Sequence, residues 1–395
     1  MKVVYISNKP IYPLVDGGCV AMNQFLKSLL DSGLDVKHFT VSTHKHLYQE
    51  ENYPEKLNTI IRTESAFIDT RINPFSALSY LFKKGSYNID RFKSQRFRKL
   101  IQNYLVHQKV DIVIFESIYL ANYFSLVKKY SKAKIIVRSH NVEFLIWERL
   151  ASNESNLFKK FYLKKLANDL KKAELQILNK IDAIAYISNE DEKTLKKLGV
   201  KTNSTTIPIS IQSTDLEANY SVNSFFFIGS MNWLPNIETV RHLIQTIFPE
   251  IRKVIPDATL YIAGSSMPDE FQTKSEVGIE IIGYVNSISD FMTSKGIMLV
   301  PIKSGSGVKI KIIEGMNLGV PILSTPLGIE GIAVENGKDI ITASNDTEFI
   351  KAAIELNASS ELREYIGNNA KNTIKFNYTE EAISKKIVGF IKTIS

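Results

Sequence analysis

The chain has one cysteine, Cys19, so no disulfide can close within it. No segment approaches the ~18 consecutive apolar residues that a membrane-spanning helix needs, which excludes an integral membrane protein built of such helices. The first residues, MKVVYISNKP, pass straight into a strand-like apolar run, without the longer apolar region and small-residue cleavage site of a secretory signal. Together with the lone thiol this leads us to expect the reducing cytoplasm. Neither half contains GxGxxG, the glycine fingerprint of dinucleotide binding, which argues against a nicotinamide oxidoreductase. Short-period repeats and low-complexity tracts are missing too, so a solenoid or a disordered chain is not expected.

What is present is ordinary globular composition at a length beyond one hydrophobic core. The 395 residues are 44% hydrophobic and 23% charged, and at roughly 150 residues per domain two domains are the simplest division. Lysine and arginine number 49 against 41 acidic residues, a net charge of +8 that favours anionic ligands or surfaces. The excess is concentrated in FKKGSYNIDRFKSQRFRKL (82–100) and FKKFYLKKLANDLKKAEL (158–175), where cations alternate with Phe, Tyr and Leu. Two readings fit that mixture: helices lying on an anionic membrane face, or solvated helix faces whose aromatics are core.

Short β-branched runs alternate with helical periodicity along the whole chain, the pattern of βαβ units and parallel sheets. Strands are expected at KVVYIS, VKHFTVS, DIVIFE, KIIVRS and AIAYIS in the first half, and at SFFFIG, TLYIAG, IEIIGY, GIMLVPI, PILST and DIITA in the second. The polar stretch SIQSTDLEANYSVNS (210–224) separates the sets and marks the domain boundary. We expect an N-terminal Rossmann-like domain over 1–212, a second over 213–377, and a C-terminal helix over 378–395 that packs back on the first.

In doubly wound sheets ligands bind beyond the carboxyl ends of the strands. After the first strand, Gly17 and Gly18 precede a helix beginning near Cys19, either an anion cradle at a helix start or a tight turn. After KIIVRS come His140 and Asn141, where a histidine can donate to a ligand hydroxyl or shuttle a proton. Ser188 and Asn189 hold the analogous place after AIAYIS, and helix capping explains Ser188 as well as ligand binding does. In the second half Gly229 and Ser230 end one strand, and Gly264 and Gly283 end the next two. Trp233 reads as a packing residue, and Tyr284 with Val285 as a wall for a flat base.

The stretch VPIKSGSGVKIKIIEGM (300–316) follows another strand. Its glycines allow backbone approach, Lys309 and Lys311 supply charge for a diphosphate, and Glu314, three residues after Lys311, shares its helix face. A carboxylate there can accept two hydrogen bonds from a vicinal diol such as a ribose; the plainer reading is an exposed ion pair of ~0.3 kcal/mol.

Taken together, FIGSMNWLPNIETV, PDATLYIAG, GYVNSISDF, the block from VPIKSGSG to GIEGI and the upstream RSHNVEFLIWERL resemble a family 4 type glycosyltransferase with the GT-B fold, over nearly the whole chain. The resemblance implies two Rossmann-like domains facing across a cleft, a sugar-nucleotide donor held mainly by the second, and an acceptor site mainly in the first. It implies transfer of a hexose-type sugar from a nucleoside-diphosphate donor to a glycan or lipid-linked acceptor, with retention of configuration and with neither cofactor nor metal. No nucleic-acid partner is expected; the two basic-aromatic stretches, not the resemblance, make an anionic membrane surface a candidate partner, so the expected location is cytoplasmic with peripheral attachment. By residue, Glu314 matches a glutamate associated with the nucleotide ribose, Lys309 and Lys311 basic positions for the diphosphate, His140 a histidine that contacts the transferred sugar, and Gly17 and Gly18 a glycine loop near the phosphates.

The sequence departs from the family pattern in three places. Ser306 stands eight residues before Glu314, where the pattern has a glutamate, which leaves the backbone of Gly307 and Val308 for the sugar hydroxyls. Ser230 and Met231 replace a customary arginine, and PIS (208–210) replaces PNG. No pair of carboxylates is evident for a double-displacement glycosidase mechanism, so front-face transfer is expected, with the departing phosphate taking the acceptor proton. Two other functions stay open: a sugar-nucleotide 2-epimerase on the same fold, and a catalytically silent binding partner.

Overall fold

The computed structural model describes residues 1–71, 79–80, 83, 85–272, 277–305 and 307–394. The chain divides into two units, Met1–Ser210 with Ile383–Ser395, and Ile211–Ala382.

The N-terminal unit is built on a seven-stranded parallel sheet: β1 (Lys2–Ser7), β2 (Asp35–Ser42), β3 (Glu64–Phe67), β4 (Ile112–Phe115), β5 (Lys134–Ser139), β6 (Ala183–Tyr186) and β7 (Ser204–Thr206), in the order β3-β2-β1-β4-β5-β6-β7. Successive residues of a strand point to opposite faces, and both faces are covered here. Val4, Val113, Phe115, Ile135 and Val137 enter one core, while Val3, Tyr5, Ile112, Ile114 and Ile136 enter the other. That double burial is why KVVYIS and DIVIF read as unbroken apolar runs. The edge strands β3 (ESAF) and β7 (STT) lack such runs and were not expected from the sequence.

The second unit carries a six-stranded sheet: β8 (Ser224–Ile228), β9 (Thr259–Ala263), β10 (Ile279–Gly283), β11 (Ile297–Val300), β12 (Ile322–Ser324) and β13 (Ile341–Thr342), ordered β10-β9-β8-β11-β12-β13. All its pairings are parallel too. Both sheets have the doubly wound pattern, and in each the strand order reverses at one place, between β1 and β4 and between β8 and β11. Diverging connections open a crevice there.

The helices that bear on function are α1 (Gly17–Asp31), α2 (Gln95–His107), α3 (Glu143–Asn153), α4 (Leu157–Leu178), α5 (Asn189–Lys197), α6 (Leu234–His242), α7 (Ile310–Asn317) and α8 (Glu380–Ile394). On α8, Ile383, Ile387, Phe390 and Ile391 repeat at helical spacing and enter the core of the N-terminal unit beside Val3, Tyr5 and Phe25. Helix α3 has no capping side chain of its own. The carboxylate of Glu174, from α4, accepts instead from the backbone N–H groups of Glu143 and Phe144, both at 3.1 Å.

The two basic-aromatic stretches fare differently. In 82–100 the described aromatics Tyr87, Phe92 and Phe97 are buried, so they are core; Phe82 and Lys84 lie outside the described residues. In 158–175 Phe158 and Phe161 are exposed.

Candidate functional site

Each unit gathers polar groups at the reversal point of its own sheet. In the N-terminal unit the centre is Glu116, the residue after β4, whose side chain is buried. It accepts from Tyr5 Oη and His140 Nε2, both in very short hydrogen bonds, and Arg138 Nη1 lies 3.3 Å from its Oε1. Arg138 also donates to the carbonyl of Ala21 at 3.0 Å and lies over the ring of Phe25. Burial alone would raise the Glu116 carboxyl, but the Arg138 guanidinium and His140 outweigh it and hold the pKa below the usual value. Burial pushes His140 down despite the pull of Glu116, so the imidazole is neutral near neutral pH. An ionised carboxylate only accepts, so the proton of that neutral ring sits on Nε2 and Nδ1 is the acceptor.

Beside this cluster, Lys9 Nζ bonds both oxygens of Asp16, at 2.7 and 2.6 Å. Asp16 caps α1 by accepting from Cys19 N–H at 2.9 Å. Burial opposes its ionisation, but the ammonium and the backbone donor hold its pKa at about 2. Gly17 and Gly18 are the first residues of α1 rather than a loop ahead of it. A Cβ on Gly18 would meet Lys9 Nζ at 2.9 Å, so the glycine makes room for the ion pair. Ser139 Oγ donates to the carbonyl of Asn141 at 3.0 Å. Ser188 caps α5 through Glu190 and Asp191 N–H, which accounts for that serine, and Asn189 is exposed on the first turn of the helix.

In the second unit the strand ends converge. Gly264, at φ +151°, comes so close to Gly229 that a Cβ on it would lie 1.8 Å from the Gly229 carbonyl oxygen. A Cβ on Gly229 would in turn meet Lys311 Nζ at 2.5 Å. These glycines let Lys311 lie over the sheet end, where its ammonium donates to Asn236 Oδ1 at 2.7 Å and sits 4.0 Å from the centre of the Phe227 ring. Asn236 Nδ2 donates to the carbonyl of Ser230 at 2.7 Å, and Ser230 and Ser265 hydroxyls are 3.1 Å apart. Burial drives the Lys311 ammonium down to about 7, with Glu314 opposing and Lys309 adding to the shift. Glu314, on α7 with Lys311, is raised by burial against the pull of Lys311. This half-buried arrangement replaces the exposed ion pair considered from the sequence.

Lys309 is buried and occupies the position before α7. The loop leading to it is fixed from α6: a Cβ on Gly305 would meet the Trp233 indole at 2.7 Å, and Ser304 hydrogen-bonds Glu238. Trp233 thus packs against loop backbone. Gly307 and Val308 are half-buried after the loop, and Ser306 lies outside the described residues. Tyr284, exposed, and Val285, half-buried, follow β10 at the sheet edge.

The sequence expectations omitted Glu116, Arg138, Tyr5, Lys9 and Asp16, and in the second unit Asn236 and Ser265. Glu116 ends DIVIFE, the same strand-end position that flags His140, so the rule that found one reaches the other.

Residues 222–359 match the model of the family described as Glycosyl transferases group 1. That match lies within the second unit. Over 401 aligned residues the chain is 23% identical to a protein of Klebsiella pneumoniae described as an uncharacterized 44.6 kDa protein in the cps region, covering 98% of each. Among solved structures it is similar to sucrose-phosphate synthase from Thermosynechococcus elongatus (TM-score 0.72, 12% identity, 100% of this chain and 99% of that one). It is also similar to Anabaena HepE in complex with UDP (TM-score 0.68, 11% identity, all of both chains). A third is the pneumococcal O-GlcNAc transferase GtfA in complex with UDP and GlcNAc (TM-score 0.66, 13% identity, 100% and 99%). These likenesses span both units and show the GT-B fold expected from the sequence.

Proposed function

We propose that the protein is a retaining glycosyltransferase that moves a hexose-type sugar from a nucleoside-diphosphate donor to a glycan or lipid-linked acceptor in polysaccharide assembly, without a metal. The observation that carries this reading is Lys311: a half-buried lysine held against Asn236 and Phe227 at the carboxyl end of a parallel sheet, between glycines that keep the space around it open to backbone approach. A bare ammonium in such a place is costly, and a diphosphate is the ligand that would restore its charge. Glu314, one helical turn on, accepts from the ribose diol; its raised pKa leaves it readier than an ordinary carboxylate to share a proton there. That HepE and GtfA, similar in fold, are described in complex with UDP supports a nucleotide-sugar donor.

In the reaction the bond from the anomeric carbon to the leaving phosphate oxygen breaks as the acceptor oxygen approaches the same face. The departing phosphate takes the acceptor proton, which leaves a nucleoside diphosphate and a glycoside of unchanged configuration. Charge growing on the diphosphate is stabilised by Lys311, with buried Lys309 adding to the local positive field. His140, held by Glu116, accepts from a sugar hydroxyl through Nδ1. Incubation with a panel of nucleoside-diphosphate sugars and a lipid-linked or glycan acceptor tests the proposal: acceptor-dependent release of nucleoside diphosphate supports it. A silent binding partner would release none, and an epimerase would change the donor without needing an acceptor.

A further inference from the structure

On α4 the side chains of Leu157, Phe158 and Phe161 are 79, 89 and 68% exposed, unusual values for large apolar groups on an ordered helix. Residues three, four and seven apart share a helix face, so Lys164 and Lys165 extend the stripe begun by Leu157, Phe158 and Phe161. Leu166, Ala167 and Leu170, on the other side, are buried in the N-terminal unit. The free side of α4 therefore has an apolar end and a cationic shoulder. Between residues 154 and 169 there are four lysines and two carboxylates: Glu154 pairs with Lys159 at 2.6 Å and Asp169 pairs with Lys165, which leaves Lys160 and Lys164 outside these ion pairs. Leu150, near the end of α3, is exposed as well.

We propose that this face docks the protein on an anionic lipid bilayer: Leu157, Phe158 and Phe161 enter the boundary between headgroups and acyl chains while Lys160 and Lys164 lie against the lipid phosphates. Aromatic rings at a helix end with lysines one to two turns behind suit the depth profile of a bilayer surface, apolar below and anionic above. The buried aromatics of 82–100 take no part. This inference stands apart from the glycosyltransferase reading, since it rests on a surface of α4 and is tested without substrate.

The test is sedimentation of the full chain with vesicles of neutral phosphatidylcholine and with vesicles containing about a third phosphatidylglycerol. The wild type should bind the anionic vesicles at least ~10-fold more tightly than the neutral ones, and high salt should weaken binding. Phe158→Ser with Phe161→Ser should reduce binding at least ~10-fold at all salt concentrations, whereas Lys160→Glu with Lys164→Glu should remove the preference for anionic lipid. Phe158, Phe161 and Lys164 are exposed, and thermal melting of each variant serves as the folding control. Equal binding by wild type and both variants overturns the proposal. So does a wild-type dimer that the phenylalanine variant dissociates with vesicle binding unaltered, because the face would then belong to a second copy.

Discussion

Nε2 of His140 hydrogen-bonds to a carboxylate oxygen of Glu116, and the Arg138 guanidinium approaches the same carboxylate at 3.3 Å. Glu116, at the end of β4, thereby holds the imidazole that follows β5, and Arg138 holds Glu116. Replacing His140 by Ala should leave the fold intact and lower turnover by about a hundredfold through lost sugar positioning. Steady-state kinetics with the donor varied checks this; unchanged kcat would remove the histidine from the reaction.

Glu116→Ala should act on stability as well. It leaves Arg138 buried without its carboxylate, a loss of about 3–5 kcal/mol. Urea unfolding measures it, and a variant as stable as wild type would show that the carboxylate is not the counterion of Arg138.

The pKa of Lys311, about 7, gives nucleotide binding a pH dependence. In the free protein the ammonium loses its proton as pH rises through 7, while a bound diphosphate holds it on. Binding above pH 7 therefore takes up a proton, and affinity should fall by up to about tenfold per pH unit. Lys311→Met should bind more weakly and without that slope. Calorimetric titration in buffers of different ionisation enthalpy reads the proton uptake directly.

A second pH effect comes from the carboxylate that caps α3. Burial, with Glu143 nearby, raises Glu174 to about 8, and burial raises Glu143 to about 7. A folded-state pKa above the unfolded one means that the folded protein binds more protons between about 4.3 and these values. These two groups therefore favour folding at low pH, and their contribution is lost as pH rises towards 8. The difference in Tm between Glu174→Gln and wild type should move in favour of the variant between pH 5 and pH 8. A constant difference would show that Glu174 is ionised throughout.

Gly264→Ala should be severe. The backbone at φ +151° disfavours a side chain, and the added Cβ would strike the Gly229 carbonyl at 1.8 Å. A loss of at least about 3 kcal/mol is expected, with nucleotide binding lost even where the variant folds. Circular dichroism melting with and without nucleotide separates the two effects.

The central strands were legible because burial on both sheet faces writes itself as unbroken runs such as IVIF and IMLV. Edge strands ESAF and STT carry no such signature, since one side of an edge needs no neighbouring strand. Lys311 and Glu314 stand out by spacing, but the enclosure of Lys311 does not: it depends on Gly229 and Gly264, 82 and 47 residues earlier in the chain. Glu116 and Arg138 meet only when β4 and β5 pair side by side, a contact that neither residue announces on its own strand. For α4, sequence left membrane face and core aromatics as equals, and only the exposure of Phe158 and Phe161 separates that helix from the segment ending in α2.

The most direct test of the account is thermal shift with UDP, GDP, ADP, CDP and TDP on the wild type, Lys311→Met and Glu314→Ala. At least one nucleoside diphosphate should raise the wild-type Tm and leave Lys311→Met unmoved, with a reduced shift for Glu314→Ala. Equal shifts in all three proteins would place the nucleotide elsewhere and contradict the assignment of the donor to Lys311 and Glu314.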